Sequence, residues 1–326
     1  VVGRLRRRKF RKILCPSRAE RAAAFALSGL FCKKFILKSI RLRFSNALKK
    51  EQVMYTFGFI GVGNMGGALA RAVCCKCPPE RVLLSNRTAA KAEALARELG
   101  CAAADNEAVA RSCKYIFLGV KPQMLGELLP RFAPIWKERL SRGERFALVS
   151  MAAGTSMRTL ASLCGVSLPV IRIMPNTPVS VGAGMVLYTA NSLTTKSELA
   201  EFTSALELAG ETDEISEEEM DAASVISGCA PAFVFMFMKA LADAGVRIGL
   251  DEKKSLFYAG QTLLGAAKLA IETGKAPDQL KTEVCSPGGT TIEGVKSLAA
   301  DGLEKVVSRA VSASYQRTLE LAGKKS

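Results

Sequence analysis

The spacing of apolar residues changes character along the chain, and those changes divide it. Residues 55–60 (YTFGFI) form a short apolar, aromatic and β-branched run that stops at Gly61. Small and apolar residues then recur at helical spacing to about residue 77, where Pro78 and Pro79 close the segment. This predicts a strand, a glycine turn and a helix. Similar strand-like runs follow at 81–84, 115–120, 145–150 and 170–174, with helices predicted up to Gly100, over 105–112 and over 155–163. The run 115–120 (YIFLGV) has no polar face, as expected of a strand buried on both sides. Such alternation predicts an α/β fold with a parallel, doubly wound Rossmann-type sheet. The loops at the carboxyl ends of its strands would line one crevice, where open sheets of this kind bind ligands.

Past Glu214 the strand-like runs disappear. Helices are predicted over 231–246, 251–273, 277–284 and 291–322, after an acidic start at Glu217, Glu218 and Glu219. Residues 231–246 (PAFVFMFMKALADAGV) are apolar nearly all round. Taken alone this segment is too short to span a bilayer and too apolar to face solvent, so it must be covered. In a domain of about 110 residues a partner chain is the natural cover, which predicts a dimer through these helices. The boundaries are therefore a nucleotide-binding domain over 54–216 and a helical substrate-binding and dimerisation domain over 217–326.

Composition changes this picture in one place. The net charge is +16, yet residues 1–50 hold sixteen Lys and Arg against one acid, Glu20, and the rest is nearly neutral. A nucleic-acid surface on the folded body is therefore not expected, nor is a membrane contact. Residues 1–53 form a basic extension with three readings. Met54 stands one residue before the first strand, which would put 1–53 upstream of the functional start; the extension also fits an organellar transit peptide, or a basic arm that binds a partner. The expected compartment is the cytoplasm, or an organelle on the transit-peptide reading. Ten cysteines whose one cluster, Cys74, Cys75 and Cys77, has no second C-x-x-C pair, and no histidine anywhere, predict free thiols in a reducing compartment and no metal site.

The candidate chemistry lies in three stretches. Gly61, Gly63 and Gly66 have the G-x-G-x-x-G spacing of a dinucleotide turn, in which backbone N–H groups at a helix start meet a pyrophosphate. A glycine turn without a ligand has the same local sequence, so context must decide. At the end of the second strand an NAD enzyme places Asp or Glu against the ribose hydroxyls; here Ser85, Asn86 and Arg87 stand there, a set suited to the 2′-phosphate of NADP(H). A solvated turn arginine is the plainer alternative. Finally, Ser286, Pro287, Gly288, Gly289, Thr290 and Thr291 place glycines and hydroxyls at a helix start, a receptor for a carboxylate or simply a capped helix–helix turn.

Taken together, these stretches resemble pyrroline-5-carboxylate reductase. The glycine turn followed by Asn64-Met65-Gly66, the strand end Val120-Lys121-Pro122, the loop Met174-Pro175-Asn176-Thr177-Pro178, the run Ser227-Gly228-Cys229-Ala230-Pro231-Ala232-Phe233 and above all Ser286 to Thr291 occur in the family's order from about residue 54 onward. The resemblance implies a Rossmann domain, a helical domain that interlocks with a partner in a homodimer or ring of dimers, and reduction of 1-pyrroline-5-carboxylate to L-proline with NAD(P)H, NADPH preferred. It implies that Ile60, Gly61, Val62, Gly63, Asn64 and Met65 wrap the pyrophosphate and that Ser85, Asn86 and Arg87 face the adenosine ribose. Asn106, Val120, Lys121, Ala152 and Ala153 would line the rest of the groove. Gly288, Gly289 and Thr290 would hold the substrate carboxylate, with Thr291 and Ser286 as catalytic residues at the ring nitrogen. Cys229 and Phe233 depart from the serine and tyrosine common in the family. Two rivals share the architecture: a β-hydroxyacid-dehydrogenase-like NADP oxidoreductase, whose lysine after a glycine run is missing at the corresponding stretch, and a non-catalytic NADP-sensing protein, which would not need the 286–291 loop.

Overall fold

A computed structural model describes residues 55–323; the readings of residues 1–53 lie outside the described residues. Its centre is an eight-stranded sheet of order β3-β2-β1-β4-β5-β6-β7-β8. The strands are β1 (Tyr55–Ile60), β2 (Val82–Ser85), β3 (Ala102–Ala103), β4 (Cys113–Leu118), β5 (Ala147–Ser150), β6 (Val170–Pro175), β7 (Gly184–Ala190) and β8 (Gly210–Glu214). Helices α1 (Asn64–Lys76), α2 (Ala89–Leu99), α3 (Asn106–Ser112), α4 (Leu125–Ser141), α5 (Met157–Cys164) and α6 (Lys196–Leu206) cover both faces.

Strand alternation explains the two cores. Phe57 and Phe59 point to one face and pack in register with Tyr115 and Phe117, their rings 5.3 and 4.5 Å apart. Ile60, Ile116 and Leu118 point to the other face, against Leu129, Phe132 and Trp136 of α4. Burial of each such side chain is worth about 1.5–3 kcal/mol, so the β1–β4 pair is the thermodynamic as well as the geometric middle of the sheet.

Two departures from the sequence pattern bear on the sheet. It is not wholly parallel: β7 runs antiparallel to β6 and pairs in parallel with β8, so the last two strands reverse. The turn over Thr177–Val181, too short for a crossover helix, returns the chain beside β6, which only an antiparallel neighbour permits. Helix α4 is also invisible to a breaker-based reading, because it contains Pro130 and Pro134. These lie four residues apart on its exposed face, while Leu125, Leu128, Leu129, Phe132, Ile135, Trp136 and Arg139 form the buried stripe.

The helical part comprises α7 (Met220–Ser224), a π turn (Val225–Cys229), α8 (Ala230–Arg247), α9 (Glu252–Thr273), α10 (Pro277–Glu283), α11 (Thr290–Ala300) and α12 (Leu303–Leu321). The single helix expected over 291–322 is two helices, broken at Asp301-Gly302, where Gly302 takes φ +74°. The apolar helix is longer than the pattern implied, since the π turn joins it to α7 in a 28-residue rod, Met220–Arg247, long and apolar enough by length and composition to cross a bilayer. Length therefore does not exclude a membrane span, contrary to the expectation from 231–246 alone. Within one chain this helix is not covered: Phe235 is 61% and Met236 73% exposed, and of α8 only Ala242 and Gly245 are buried.

A polar anchor ties the start of β5 to α6. Arg145, ahead of β5, makes a two-pronged contact of 2.9 and 3.0 Å with Glu198 in the first turn of α6, where Thr195 and Glu198 form a capping box. Burial alone would raise the Glu198 carboxyl, but the bonds from Arg145 and Thr195 outweigh it and hold it below its ordinary range. A carboxylate lowered in the folded state contributes stability above its ordinary pKa and loses it as pH falls through the lowered one. Glu198→Gln should therefore melt lower than wild type at neutral pH, with the gap closing in scans stepped down from the ordinary carboxylate range of about pH 4.

Candidate active site

The strand order reverses between β1 and β4, so the chain parts there and leaves a crevice at the carboxyl ends of the strands. Three glycines make this parting tight. A Cβ on Gly66 or on Gly119 would lie 2.1 or 2.2 Å from the Gly61 carbonyl oxygen, and Gly61 takes φ +97°. The Gly61 N–H donates to the Ser85 carbonyl and the Gly119 N–H to the Ile60 carbonyl, both at 2.8 Å, which ties the ends of β1, β2 and β4 together.

Gly63 differs from these three. Its φ is −69°, nothing lies within 4 Å of where its Cβ would be, and it is exposed. No contact among the described residues requires glycine there, and the position stands open to the crevice. Gly63 is also the N-cap of α1 and offers no side-chain cap, leaving the first-turn N–H groups of the helix facing the opening. An open cradle on an uncapped helix start fits a dinucleotide pyrophosphate.

The other residues expected to line the groove divide by burial. Asn86 accepts the Val62 N–H through Oδ1 at 3.3 Å and donates to the Thr88 carbonyl. Ser85 is buried and donates its hydroxyl to Asn106 Oδ1 at 2.6 Å. Both side chains thus brace the loops, while Arg87 is exposed and lines a cavity of about 330 Å³ together with Asn86, Glu93, Asp105, Asn106 and Glu107. The acids of this cavity were not singled out by sequence, because they read as ordinary helix residues; Asp105 caps α3 by accepting the Ala108 N–H. Further along, Val120 is half-buried, Lys121 exposed, Ala152 buried and Ala153 exposed, at the ends of the neighbouring strands β4 and β5. Ile60 is buried beneath the turn, Asn64 is exposed and Met65 half-buried.

A second cavity, of about 580 Å³, continues from Ala153 past Met174, Pro175 and Gly228 to Arg317 of α12. The loop predicted to hold substrate does not line it. Ser286, Gly288, Thr290 and Thr291 are exposed, Gly288 has φ +70°, and Gly289 caps α11 with no side-chain bond, again leaving helix N–H groups open. Within one chain the cofactor groove and this loop are separate halves.

Comparison with known proteins matches each half. Residues 56–153 match the family model described as NADP oxidoreductase, coenzyme F420-dependent, and residues 217–321 match the one described as pyrroline-5-carboxylate reductase dimerisation. The pyrroline-5-carboxylate reductase of Escherichia coli (strain K12) is 35% identical over 268 residues, 81% of this chain and 97% of that one. The chain belongs to the pyrroline-5-carboxylate reductase family. Among solved members, the Coxiella burnetii enzyme aligns with a TM-score of 0.76 at 29% identity over 84% of this chain and 100% of that one. The Plasmodium falciparum enzyme, solved with NADP bound, aligns with a TM-score of 0.73 at 28% identity over 83% and 99%.

Family membership accounts for the exposed apolar helix, which lies inside the dimerisation match, and for a groove suited to NADP. The glycines separate folding from binding. Gly66→Ala should cost about 1–3 kcal/mol in denaturant unfolding, because backbone must move. Gly63→Ala should change stability by less than about 0.5 kcal/mol and yet weaken NADPH binding about tenfold or more in a fluorescence titration.

Proposed function

We propose that this reductase converts 1-pyrroline-5-carboxylate to L-proline with NADPH, as a homodimer or ring of dimers in the cytoplasm, with no nucleic-acid or membrane partner. The observation that carries this reading is the order of the two halves: an NADP-type groove followed by the family's dimerisation segment, at 35% identity to a curated reductase over nearly its whole length. The largely exposed apolar face of α8 supports association over a bilayer contact, since it falls within that segment.

The chemistry suits a chain without histidine. A protonated cyclic imine accepts hydride readily, and NADPH, when bound, supplies it; the protein's task is alignment. Gly63, Asn64 and Met65 would hold the pyrophosphate by backbone N–H groups, with Gly61 shaping the turn beneath it, and Arg87 would hold the 2′-phosphate as an exposed cation of its cavity. Ala152 and Ala153 leave room at the far end of the groove. On the substrate side, the open N–H groups at the start of α11, around Gly289 and Thr290, would receive the carboxylate, while Thr291 and Ser286 hydrogen-bond the ring nitrogen. Because this loop stands apart from the groove of its own chain, we assign it to an active site completed on dimerisation.

Cofactor oxidation followed at 340 nm with 1-pyrroline-5-carboxylate is the direct test; no turnover with either nicotinamide would overturn the assignment. Thr291→Ala should lower kcat by about ten- to a thousandfold through loss of one transition-state contact. Arg87→Ala should raise the KM for NADPH by about tenfold or more while leaving NADH nearly unchanged; a wild-type preference for NADH would refute the role given to Arg87.

A further inference from the structure

The junction between the sheet and the helical part contains a buried ion cluster that the cofactor and substrate roles leave unused. Arg172, on β6, is 3% exposed, yet it is flanked in sequence by Ile171 and Ile173, both wholly buried in the apolar core. Its Nη2 donates to Asp221 Oδ1 at 3.2 Å, and its Nη1 lies 3.5 Å from Glu217 Oε1. The same Glu217 oxygen accepts the Met157 N–H at the first turn of α5, at 2.6 Å. Two carboxylates from the first turn of the helical part thus reach back into the nucleotide domain, one to a buried guanidinium and one also to a helix start.

Two further contacts tie the same regions. Asn176, just beyond β6, donates through Nδ2 to the Ser227 carbonyl in the π turn, at 3.0 Å. At the other end of the helical part, Gly154 lies so close to Leu321 that a Cβ there would be 3.3 Å from its backbone carbonyl. Ala153, one residue earlier, belongs to the cofactor groove. All these ties converge on the β5–β6 side of the crevice, and Met220–Arg247 leaves them as one continuous rod.

The energetics decide what such a cluster is for. Burying a guanidinium and a carboxylate costs several kcal/mol per ion, and an apolar pair of similar volume would hold the helices about as well. An ion pair differs in direction: the planar fork accepts its partners only along fixed lines. Here the fork is also incompletely used, since Arg172 Nε is buried with no hydrogen-bond partner among the described residues. A cavity of about 320 Å³ beside it, lined by Arg172, Glu217, Asp221, Arg158 and Thr159, leaves room for the fork to shift between acceptors. Orientation with limited travel is what a joint requires.

We infer that Arg172, with Asp221 and Glu217, is a positioning latch that sets the angle of the Met220–Arg247 rod over the cofactor groove, and so the approach of the substrate loop to the reacting carbon. The inference rests on the reductase reading above. None of the three touches substrate or cofactor; they act through the rod, whose dimer face carries the companion subunit and its loop. A misplacement of about 1 Å in such a system is worth up to about a hundredfold in rate.

The full-length dimer tests this. Asp221→Asn keeps the shape and one acceptor but removes the charge. It should lower kcat by about ten- to a hundredfold while leaving sedimentation as a dimer intact and the NADPH dissociation constant within about twofold of wild type. Arg172→Lys, which keeps the charge without the fork, should show the same split. A wild-type kcat in either dimer, or a fall in kcat matched by an equal loss of NADPH affinity, would overturn the latch. Should Asp221→Asn not assemble, Glu217→Gln carries the test from a partly exposed site: a kcat lowered about threefold or more at unchanged NADPH affinity supports it, and an unchanged kcat refutes it. Wild-type turnover, measured first, tests the reductase reading separately. Amide exchange over 220–229 judges the latch even without turnover: faster exchange in Asp221→Asn supports it, and identical exchange counts against it.

Discussion

The approach of Gly61, Gly66 and Gly119 is the constraint on which the rest of the nucleotide domain depends. With a Cβ at Gly66 or Gly119 only 2.1 or 2.2 Å from the Gly61 carbonyl, the start of α1 and the end of β4 meet without side chains between them. That contact aims the first turn of α1 across the crevice where the sheet changes direction. It also lets the backbone ends of β1, β2 and β4 bond to one another. The aromatic ladder of Phe57, Tyr115, Phe59 and Phe117 lies directly beneath and gives this thin backbone contact a rigid floor.

From that floor outward, polar side chains serve more as struts than as ligands. Ser85, Asn86 and Asn106 brace one another or the turn, leaving Arg87 to face the opening. Arg139 is likewise wholly buried and donates to the Ala110 and Cys113 carbonyls, fixing α4 against the start of β4. At the domain junction Arg172 plays a related part in reverse, reaching from the sheet to two acids of the helical segment. In each case a side-chain donor satisfies an acceptor that would otherwise be costly to leave unpaired.

The helical part follows a different rule. Its apolar faces are left open within one chain, with Phe235, Met236, Phe257 and Ile271 all more than half exposed, so its energetics are completed by association. The groove suited to NADP, by contrast, is local, built by neighbouring strands of one sheet.

The sequence by itself determined the strands whose apolar runs end in glycine or proline, the glycine turn, and the helices that stop at Gly100 and start at Asp105. Each depends on local chemistry that spacing reports: a positive φ at Gly61, a prolyl stop at Pro122, an N-cap carboxylate. It did not reveal α4, because Pro130 and Pro134 look like breakers until tertiary structure places both on the solvent face. It did not reveal β7 and β8 or their reversed direction, because strand pairing is a property of neighbours that a period-two pattern does not encode. Nor did it distinguish Gly63 from Gly66, identical in the motif. Only the fold shows that Gly66 lacks a side chain because the Gly61 backbone fills its place, whereas Gly63 meets open space among the described residues. The same holds for Arg172: in sequence it is one charge within an apolar strand, and only packing brings Asp221 and Glu217 to it across 49 and 45 residues of chain.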